Sequence, residues 1–175
     1  LKWKASADGL RNRGASAAIH GDLLYIISNK SLFIMKTGNG KVIARKELPF
    51  VVEVTSTPLL TDNAIIFGST RDGLIALDNQ TFDIKWKFKT NGALVLTSPY
   101  SGKYSATVET SPVLAGNTVY VGASDGTIYG VNKENGQLVW KHETGAPVFS
   151  SVAISGNVLI AADFGGNIYA FVTQK

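Results

Sequence analysis

Cysteine is absent from this 175-residue chain, and histidine occurs only twice. The lack of cysteine excludes disulfides, thiolate nucleophiles and thiolate metal sites, and it is compatible with any compartment. Charged residues make up 17% of the chain, and the net charge of +4 comes from scattered lysines rather than from a cluster, so we expect no nucleic-acid partner. Apolar runs are far shorter than the roughly 18 to 20 residues of a membrane span, and we expect none.

The chain instead carries short apolar runs separated by turn-forming residues. The stretch Ser111–Trp140 holds four of them, at Val113-Leu114, Val119–Val121, Ile128–Val131 and Leu138–Trp140. Glycine, asparagine and aspartate fill each gap, and this alternation predicts four antiparallel strands joined by tight turns. One such sheet cannot bury both of its faces, so the pattern also predicts similar neighbours.

Three further copies of the pattern are present. Sliding the stretch back by 54 positions aligns Trp140 with Trp86, and sliding it forward by 40 aligns Ile128 with Ile168. A weaker upstream copy has Gly21 at the first turn. The repeats cover about 14–45, 55–88, 109–142 and 149–173. Four copies of a unit of about 40 residues predict an all-β fold, a β-propeller of about four four-stranded antiparallel blades in a single domain over 1–175.

The two ends of the chain leave two interpretations open. Leu1–Lys4 (LKWK) resembles the predicted fourth strands, LVWK at 138–141 and IKWK at 84–87, whereas the last copy stops at its third strand, Gly166–Thr173. Either the amino-terminal strand completes the last blade and closes a small ring of four, or the chain is a fragment of a larger propeller.

All three tryptophans, Trp3, Trp86 and Trp140, occupy one position of the repeat. A buried tryptophan removes about 150 to 250 Å² from water, or roughly 4 to 6 kcal/mol of gross transfer free energy. We therefore expect these side chains to join adjacent blades rather than to stack on a ligand. Asp72-Gly73 and Asp125-Gly126 are predicted to be turns, because no further carboxylates follow at calcium-loop spacing.

The connection between the second and third copies carries about 14 extra residues. This insertion, Asn91–Thr107, lies on the face of the disc where outer strands lead to inner strands, and insertions on one face of a repeat array are often the binding side. A loop that only covers apolar surface is the alternative. The candidate ligand- or partner-binding residues on this face are Arg11, Arg13, Glu53, Tyr100, Lys103, Tyr104, Glu109 and Phe149.

Patterns for a reaction centre are missing. His20 and His142 stand at non-equivalent repeat positions, and the chain has no G-x-S-x-G elbow, P-loop, dinucleotide fingerprint or H-E-x-x-H motif. Only Glu53 and Glu109, which precede inner strands of adjacent copies, leave a carboxylate pair open. We therefore expect no catalytic residue, no cofactor and no metal in this segment.

The repeats DGTIYGVNKENGQLVW (125–140), DGLIALDNQTFDIKWK (72–87) and GGNIYAFV (165–172) resemble those of the pyrroloquinoline-quinone-like (PQQ-like) propeller family. The resemblance implies the propeller fold and, from what is typical of the family, a periplasmic or extracellular location. Its members include quinoprotein alcohol dehydrogenases, the periplasmic lipoprotein of the outer-membrane β-barrel assembly machinery, and accessory propellers of secreted enzymes. The vicinal cysteines and stacking tryptophan expected of the dehydrogenases cannot be matched here.

The sequence thus favours a non-catalytic PQQ-like propeller module that binds a protein partner or an extended polar ligand on the face carrying Tyr100, Lys103 and Tyr104. The alternative is an accessory or partial propeller of a secreted enzyme, either a quinoprotein dehydrogenase or a hydrolase with an appended propeller. Incomplete rings with unpaired edge strands would also make a scaffold.

Overall fold

A computed structural model describes residues 1–11, 15–97, 102 and 104–172. Fourteen strands of this part form four antiparallel sheets, and it contains no helix. The first sheet comprises β1 (Ala18–His20), β2 (Leu23–Lys36) and β3 (Val42–Val52). The second comprises β4 (Leu59–Leu60), β5 (Ala64–Gly68), β6 (Leu74–Asp78) and β7 (Ile84–Phe88). The third comprises β8 (Val113–Ala115), β9 (Thr118–Gly122), β10 (Thr127–Asn132) and β11 (Leu138–Glu143), and the fourth comprises β12 (Ala153–Ser155), β13 (Val158–Ala162) and β14 (Ile168–Val172). The predicted all-β propeller fold is confirmed.

The first sheet follows the repeat although it has only three strands. Asp22 precedes β2 and Thr37 follows it, yet the Thr37 N–H donates to the Asp22 carbonyl at 2.9 Å. A fully extended strand of this length would hold its ends roughly 45 Å apart. The strand therefore turns back on itself near Asn29, which has a left-handed backbone with φ of 54°, so β2 supplies both the second and the third strand of this repeat.

The sheets stack face to face, and the second sheet shows how. Every residue of β5 is buried, and its alternate side chains point to opposite neighbours. Ile65 and Phe67 belong to a core shared with the first sheet, whereas Ala64 and Ile66 belong to a core shared with the third. A third core joins the third and fourth sheets through residues such as Ile128 and Leu159. Stacking therefore supplies most of the apolar burial, at about 1.5 to 3 kcal/mol for each large side chain.

Hydroxyl groups join the sheets next to their first strands. The Thr57 N–H donates to the Ser111 Oγ at 2.9 Å, and the Ser111 N–H donates to the Ser151 Oγ at 2.8 Å. These three residues are spaced by 54 and 40 positions, which are the two repeat spacings found in the sequence. The repeats therefore superpose residue for residue at this edge, whatever the length of the connection between them.

Outer-strand tryptophans cross to the following sheet. The Trp86 indole N–H donates to the Lys133 carbonyl at 3.0 Å, and its ring lies against Gly136 in the turn after β10. Trp3 does the same one repeat earlier, because its indole N–H donates to the Thr37 carbonyl at 2.8 Å and its ring lies against Gly40. The prediction that these side chains join adjacent blades is confirmed for Trp86, whereas Trp3 contacts the first sheet from a segment that forms no strand.

The amino-terminal residues cover the far side of the first sheet. Trp3 is held there by the contacts above, and the Arg45 guanidinium donates to the Asp8 carbonyl at 3.1 Å while lying over the Phe33 ring. Phe33 is almost fully buried as a result. Within the described residues, Leu1–Lys4 pair with no strand, and β14 pairs only with β13.

The contact between Trp86 and Gly136 predicts an asymmetric pair of substitutions. Gly136 and Gly116 both have positive φ, 70° and 57°, so alanine is strained at either position. A Cβ at Gly136 would also lie 2.6 Å from the Trp86 ring, whereas a Cβ at Gly116 would meet nothing within 4 Å. We expect Gly116→Ala to lower the free energy of unfolding by about 1 kcal/mol and Gly136→Ala to lower it by a further ~1 to 3 kcal/mol. Urea unfolding measures both, and equal losses would contradict the packing role of Trp86.

Candidate protein-binding face

The insertion between the second and third sheets is anchored over the hairpin turns of both. Near its start, the Asn91 N–H donates to the Asp125 carboxylate at 2.9 Å and the Leu94 N–H donates to the Ser124 carbonyl at 2.9 Å. Near its end, Ala106 bridges to the turn of the second sheet at Asp72. The face that carries the connections between sheets therefore also carries this insertion, as the sequence predicted.

A polar cluster of buried Tyr129, half-buried Asp125 and exposed Asn91 holds the start of the insertion. The Tyr129 hydroxyl donates to the Asp125 carboxylate at 2.6 Å, and the Asn91 side-chain amide lies 3.4 Å from the same hydroxyl. Burial raises the pKa of Asp125 despite these hydrogen bonds. Burial and the adjacent carboxylate together raise the pKa of Tyr129 to about 12. The cluster is a fixed support for the loop, because each polar group has its partner inside the protein.

Beyond this anchor the insertion exposes three consecutive apolar side chains, Leu94, Val95 and Leu96, with exposed fractions of 56%, 45% and 55%. The Leu94 Cδ1 lies close to Gly126, which in turn lies against Ala146. We call Leu94, Val95, Leu96, Phe149 and Phe164 the apolar rim. Exposed apolar side chains grouped on one face are typical of surfaces that bind other proteins.

The rim continues onto the fourth sheet. Phe164 is 72% exposed in the turn between β13 and β14, and its N–H donates to the Pro147 carbonyl at 2.7 Å. Phe149 packs edge-on against it, with ring centroids 5.4 Å apart. Aromatic side chains of this kind dominate the energetics of many interfaces because they bury a large area.

The structure separates the sequence-predicted site residues into different roles. Arg11 and Tyr104 are exposed, Phe149 is half-buried in the rim, and Glu53 is half-buried with its N–H donating to the Thr70 hydroxyl at 2.9 Å. Arg13, Tyr100 and Lys103 lie outside the described residues. Tyr104 adjoins the start of the insertion, because the Ala93 N–H donates to the Ser105 carbonyl.

Glu109 is buried and serves as an acceptor between sheets. Its carboxylate accepts the Thr55 N–H at 2.9 Å and the Thr97 hydroxyl at 2.5 Å. Thr97 lies in the insertion, so Glu109 ties the loop to the inner edge of the second sheet. We assign it a supporting role beneath the binding face rather than a place on it.

Sequence reasoning missed the aliphatic part of the rim and Phe164. The run of Leu94, Val95 and Leu96 was a visible signal, because three consecutive large apolar residues in a connection have no alternating polar face. Phe164 was also visible, since the third repeat has Ser124 at the corresponding turn position. The candidates chosen from the sequence were mainly charged residues and tyrosines, so these apolar residues were not among them.

Candidate metal ligands do not converge in the described part of the chain. No group of three or more histidine, aspartate or glutamate side chains there is arranged to hold a metal ion. His142 stacks on Trp140 with ring centroids 6.3 Å apart, among the aromatic side chains between the third and fourth sheets. Nor does any helix of the described residues have the length and apolar character needed to cross a membrane.

Comparisons with known proteins match this chain to propellers. The sequence model of the family described as outer membrane protein assembly factor BamB matches residues 89–175. An uncharacterized protein of Rickettsia prowazekii is 27% identical over 131 residues, which cover 74% of this chain and 29% of that protein. Outer membrane protein assembly factor BamB of Legionella pneumophila is 24% identical over 113 residues, 65% of this chain and 28% of that protein. The chain thus spans less than a third of the length of either curated relative.

Solved structures give the same fold. The crystal structure of BamB from Moraxella catarrhalis matches with a TM-score of 0.76 at 17% identity, over 98% of this chain and 49% of that chain. Quinohemoprotein alcohol dehydrogenase from Comamonas testosteroni matches with a TM-score of 0.66 at 16% identity, over 92% of this chain and 33% of that chain. At these identities the likeness concerns the fold.

The anchor cluster predicts how the protein responds to alkali. The pKa of Tyr129 is about 12 in the folded protein, above its ordinary value of 10.0, so the folded state favours the protonated phenol. The stability that protonated Tyr129 contributes to the folded state is complete below about pH 10. It is lost as the pH rises from about 10 to 12, because this tyrosine ionises at lower pH in the unfolded chain. We expect Tyr129→Phe to flatten the fall in unfolding free energy across that range, measured by urea unfolding at successive pH values. An unchanged slope would contradict the assignment, and Tyr104→Phe, at an exposed tyrosine, is the matched control.

Proposed function

We propose that this chain, whose repeats resemble those of the PQQ-like propeller family, is a non-catalytic module that binds a protein partner in outer membrane protein assembly. The apolar rim is the observation that carries this proposal. It combines aliphatic and aromatic side chains with a rigid support of sheet and hairpin turns. The proposed process, outer membrane protein assembly, is taken from the names of the relatives. A periplasmic or extracellular location is part of the same proposal.

The rim fits a protein partner better than a small ligand. Leu94, Leu96 and Phe164 are each more than half exposed, and the Leu94 Cδ1 lies beside Gly126 in a hairpin turn. Protein interfaces gain most of their affinity from a few such anchors surrounded by polar contacts. Arg11, Arg13, Glu53, Tyr100, Lys103 and Tyr104 are proposed to form that polar surround.

Photo-cross-linking tests where the partner binds. A photoreactive amino acid at Leu96 or Tyr104, introduced in the native organism, should capture one outer membrane assembly protein that mass spectrometry identifies. The same group at Leu138, which is 48% exposed on β11 away from the insertion, should not. Equal capture from all three positions would reject the rim as the binding site.

The affinity of the captured partner gives the quantitative prediction. Leu96→Asp should weaken binding at least about tenfold, because it removes an apolar anchor and leaves a charge to be desolvated. Leu138→Asp is the matched control, since both leucines are about half exposed in the free protein, and it should change affinity less than twofold. Point substitution is preferable to deletion here, because the Gly73 N–H donates to the Ala106 carbonyl at 2.7 Å and loss of the loop would disturb the second sheet.

The enzyme alternative has its own test. The likeness to quinohemoprotein alcohol dehydrogenase concerns the fold. The Trp86 ring lies between the second and third sheets, the Trp3 ring lies against the first sheet, and the ring centroids of Trp140 and Phe171 are 5.0 Å apart. We expect pyrroloquinoline quinone and Ca²⁺, added together, to leave the thermal midpoint of unfolding unchanged within about 1 °C. A ligand that binds the folded protein, present at 100 times its Kd, would instead raise the free energy of unfolding by about 2.7 kcal/mol. A saturable rise of several degrees would support the quinoprotein alternative.

A further inference from the structure

Three asparagine residues of the chain are followed directly by glycine, at Asn39-Gly40, Asn91-Gly92 and Asn135-Gly136. Asparagine is a thermolabile residue, and a following glycine favours its deamidation because glycine has no side chain to shield its own backbone nitrogen. In this reaction the glycine nitrogen loses its proton and attacks the side-chain carbonyl carbon of asparagine, ammonia leaves, and water opens the resulting succinimide to aspartate or isoaspartate. The fold decides which pair reacts, because the glycine nitrogen must be free to approach the side chain.

Two of these pairs have a glycine nitrogen that is already engaged. The Gly40 N–H donates to the Lys36 carbonyl at 2.8 Å. The Gly136 N–H donates to the Asn132 carbonyl, also at 2.8 Å. Both glycines are buried, and tryptophan rings lie against them. Each nitrogen is therefore held by a backbone acceptor and kept from the side chain of the asparagine before it.

The side chains of the same two asparagines are engaged as well. The Asn39 Oδ1 accepts the Lys41 N–H at 3.0 Å. The Asn135 Oδ1 accepts the Gln137 N–H at 3.0 Å. Each bond passes over the glycine and directs the asparagine carbonyl to the residue after it. Deamidation at these two pairs thus requires a local opening of the turn, which costs free energy.

The pair Asn91-Gly92, at the start of the insertion, lacks these restraints. Both residues are exposed, and none of the described residues accepts a hydrogen bond from the Gly92 N–H. Within that part of the chain, the one hydrogen bond of the Asn91 side chain is the long contact of its amide nitrogen with the Tyr129 hydroxyl, at 3.4 Å. The Gly92 nitrogen can therefore reach the side-chain carbonyl carbon of Asn91 without a prior opening of the fold.

Asn91 is also part of the anchor that holds the insertion. Its N–H donates to the Asp125 carboxylate at 2.9 Å, and the Tyr129 hydroxyl donates its proton to the same carboxylate at 2.6 Å. A carboxylate in place of the Asn91 amide has no N–H to donate to that hydroxyl, and it repels Asp125. Isoaspartate also lengthens the main chain before Leu94, whose N–H donates to the Ser124 carbonyl at 2.9 Å. Both products therefore weaken the bonds at the start of the insertion.

We propose that Asn91 is a site of spontaneous deamidation whose products loosen the start of the insertion, which leads into the apolar rim. Overall, water enters and ammonia leaves, and the step needs neither an oxidant nor an enzyme. The inference does not depend on the proposed function, because the reaction uses only this chain and water. It makes the attachment of the insertion dependent on the age of the protein.

Peptide mapping by mass spectrometry measures the reaction at each pair separately. Cleavage after lysine places the three pairs in different tryptic peptides, 37–41, 90–103 and 134–141. In the folded protein, aged in mildly alkaline buffer, we expect Asn91 to deamidate at least about tenfold faster than Asn39 or Asn135, because the other two pairs need a local opening. Equal rates, or a faster reaction at Asn39 or Asn135, would overturn the proposal.

The unfolded chain is the control for local sequence. In guanidinium chloride all three pairs lose the hydrogen bonds described above, so their deamidation rates should agree within about threefold. A preference for Asn91 that keeps its full size in guanidinium chloride would overturn the structural explanation, because it would then arise from the neighbouring residues in the sequence.

Substitution by aspartate tests the effect on the insertion. Asn91→Asp should accelerate hydrogen exchange of the Leu94 amide, measured by NMR, at least about threefold. Asn135→Asp is the matched control and should leave that rate unchanged, because the Asn135 side chain accepts its hydrogen bond through an oxygen atom that aspartate keeps. Protein aged until Asn91 has reacted should show the same acceleration as Asn91→Asp. Unchanged Leu94 exchange in the aged protein would overturn the proposed loosening, whatever the variant shows.

Discussion

Each sheet of this protein is apolar on both faces, and this constraint determines the rest of the structure. Alternate residues of β5 enter two different hydrophobic cores, one with each neighbouring sheet. A sheet of this kind is stable only between two others, so the repeat must be stacked. The tryptophans and the hydroxyl bonds between sheets then fix the rotation from one sheet to the next. The large apolar side chains of the strands pack between sheets, and the connections between the sheets remain available for binding.

The division between stacking and binding explains why the face with the insertion is the functional candidate. Asp125, Tyr129 and Glu109 accept or donate hydrogen bonds within the protein beneath that face, and these bonds hold the loop. Above them the apolar side chains of Leu94, Val95 and Leu96 are exposed. A surface with an internally satisfied polar base and an apolar exterior is suited to recognition of another protein rather than to chemistry on a small molecule.

The fold could be predicted because its signals are local and repeated. Turn glycines, strand alternation and the position of Trp86 and Trp140 recur at fixed spacing, and each copy supports the others. The site was predicted only in outline, because it depends on contacts between repeats that no single repeat encodes. The sequence placed Glu109 among the candidate binding residues, but it is buried and its carboxylate accepts hydrogen bonds from Thr55 and Thr97. Asp163 is a second example. It accepts the Tyr169 hydroxyl, as Asp125 accepts the Tyr129 hydroxyl in the third repeat, but the residue aligned with Asp125 is Gly165.

The bonds between Thr57, Ser111 and Ser151 are alike although one spans 54 residues and the other 40. The extra residues of the longer connection are therefore accommodated without changing the spacing of the sheets. A connection between two blades of this protein can therefore grow longer while the blades keep their positions, provided that the ends of the connection keep their hydrogen bonds to the hairpin turns.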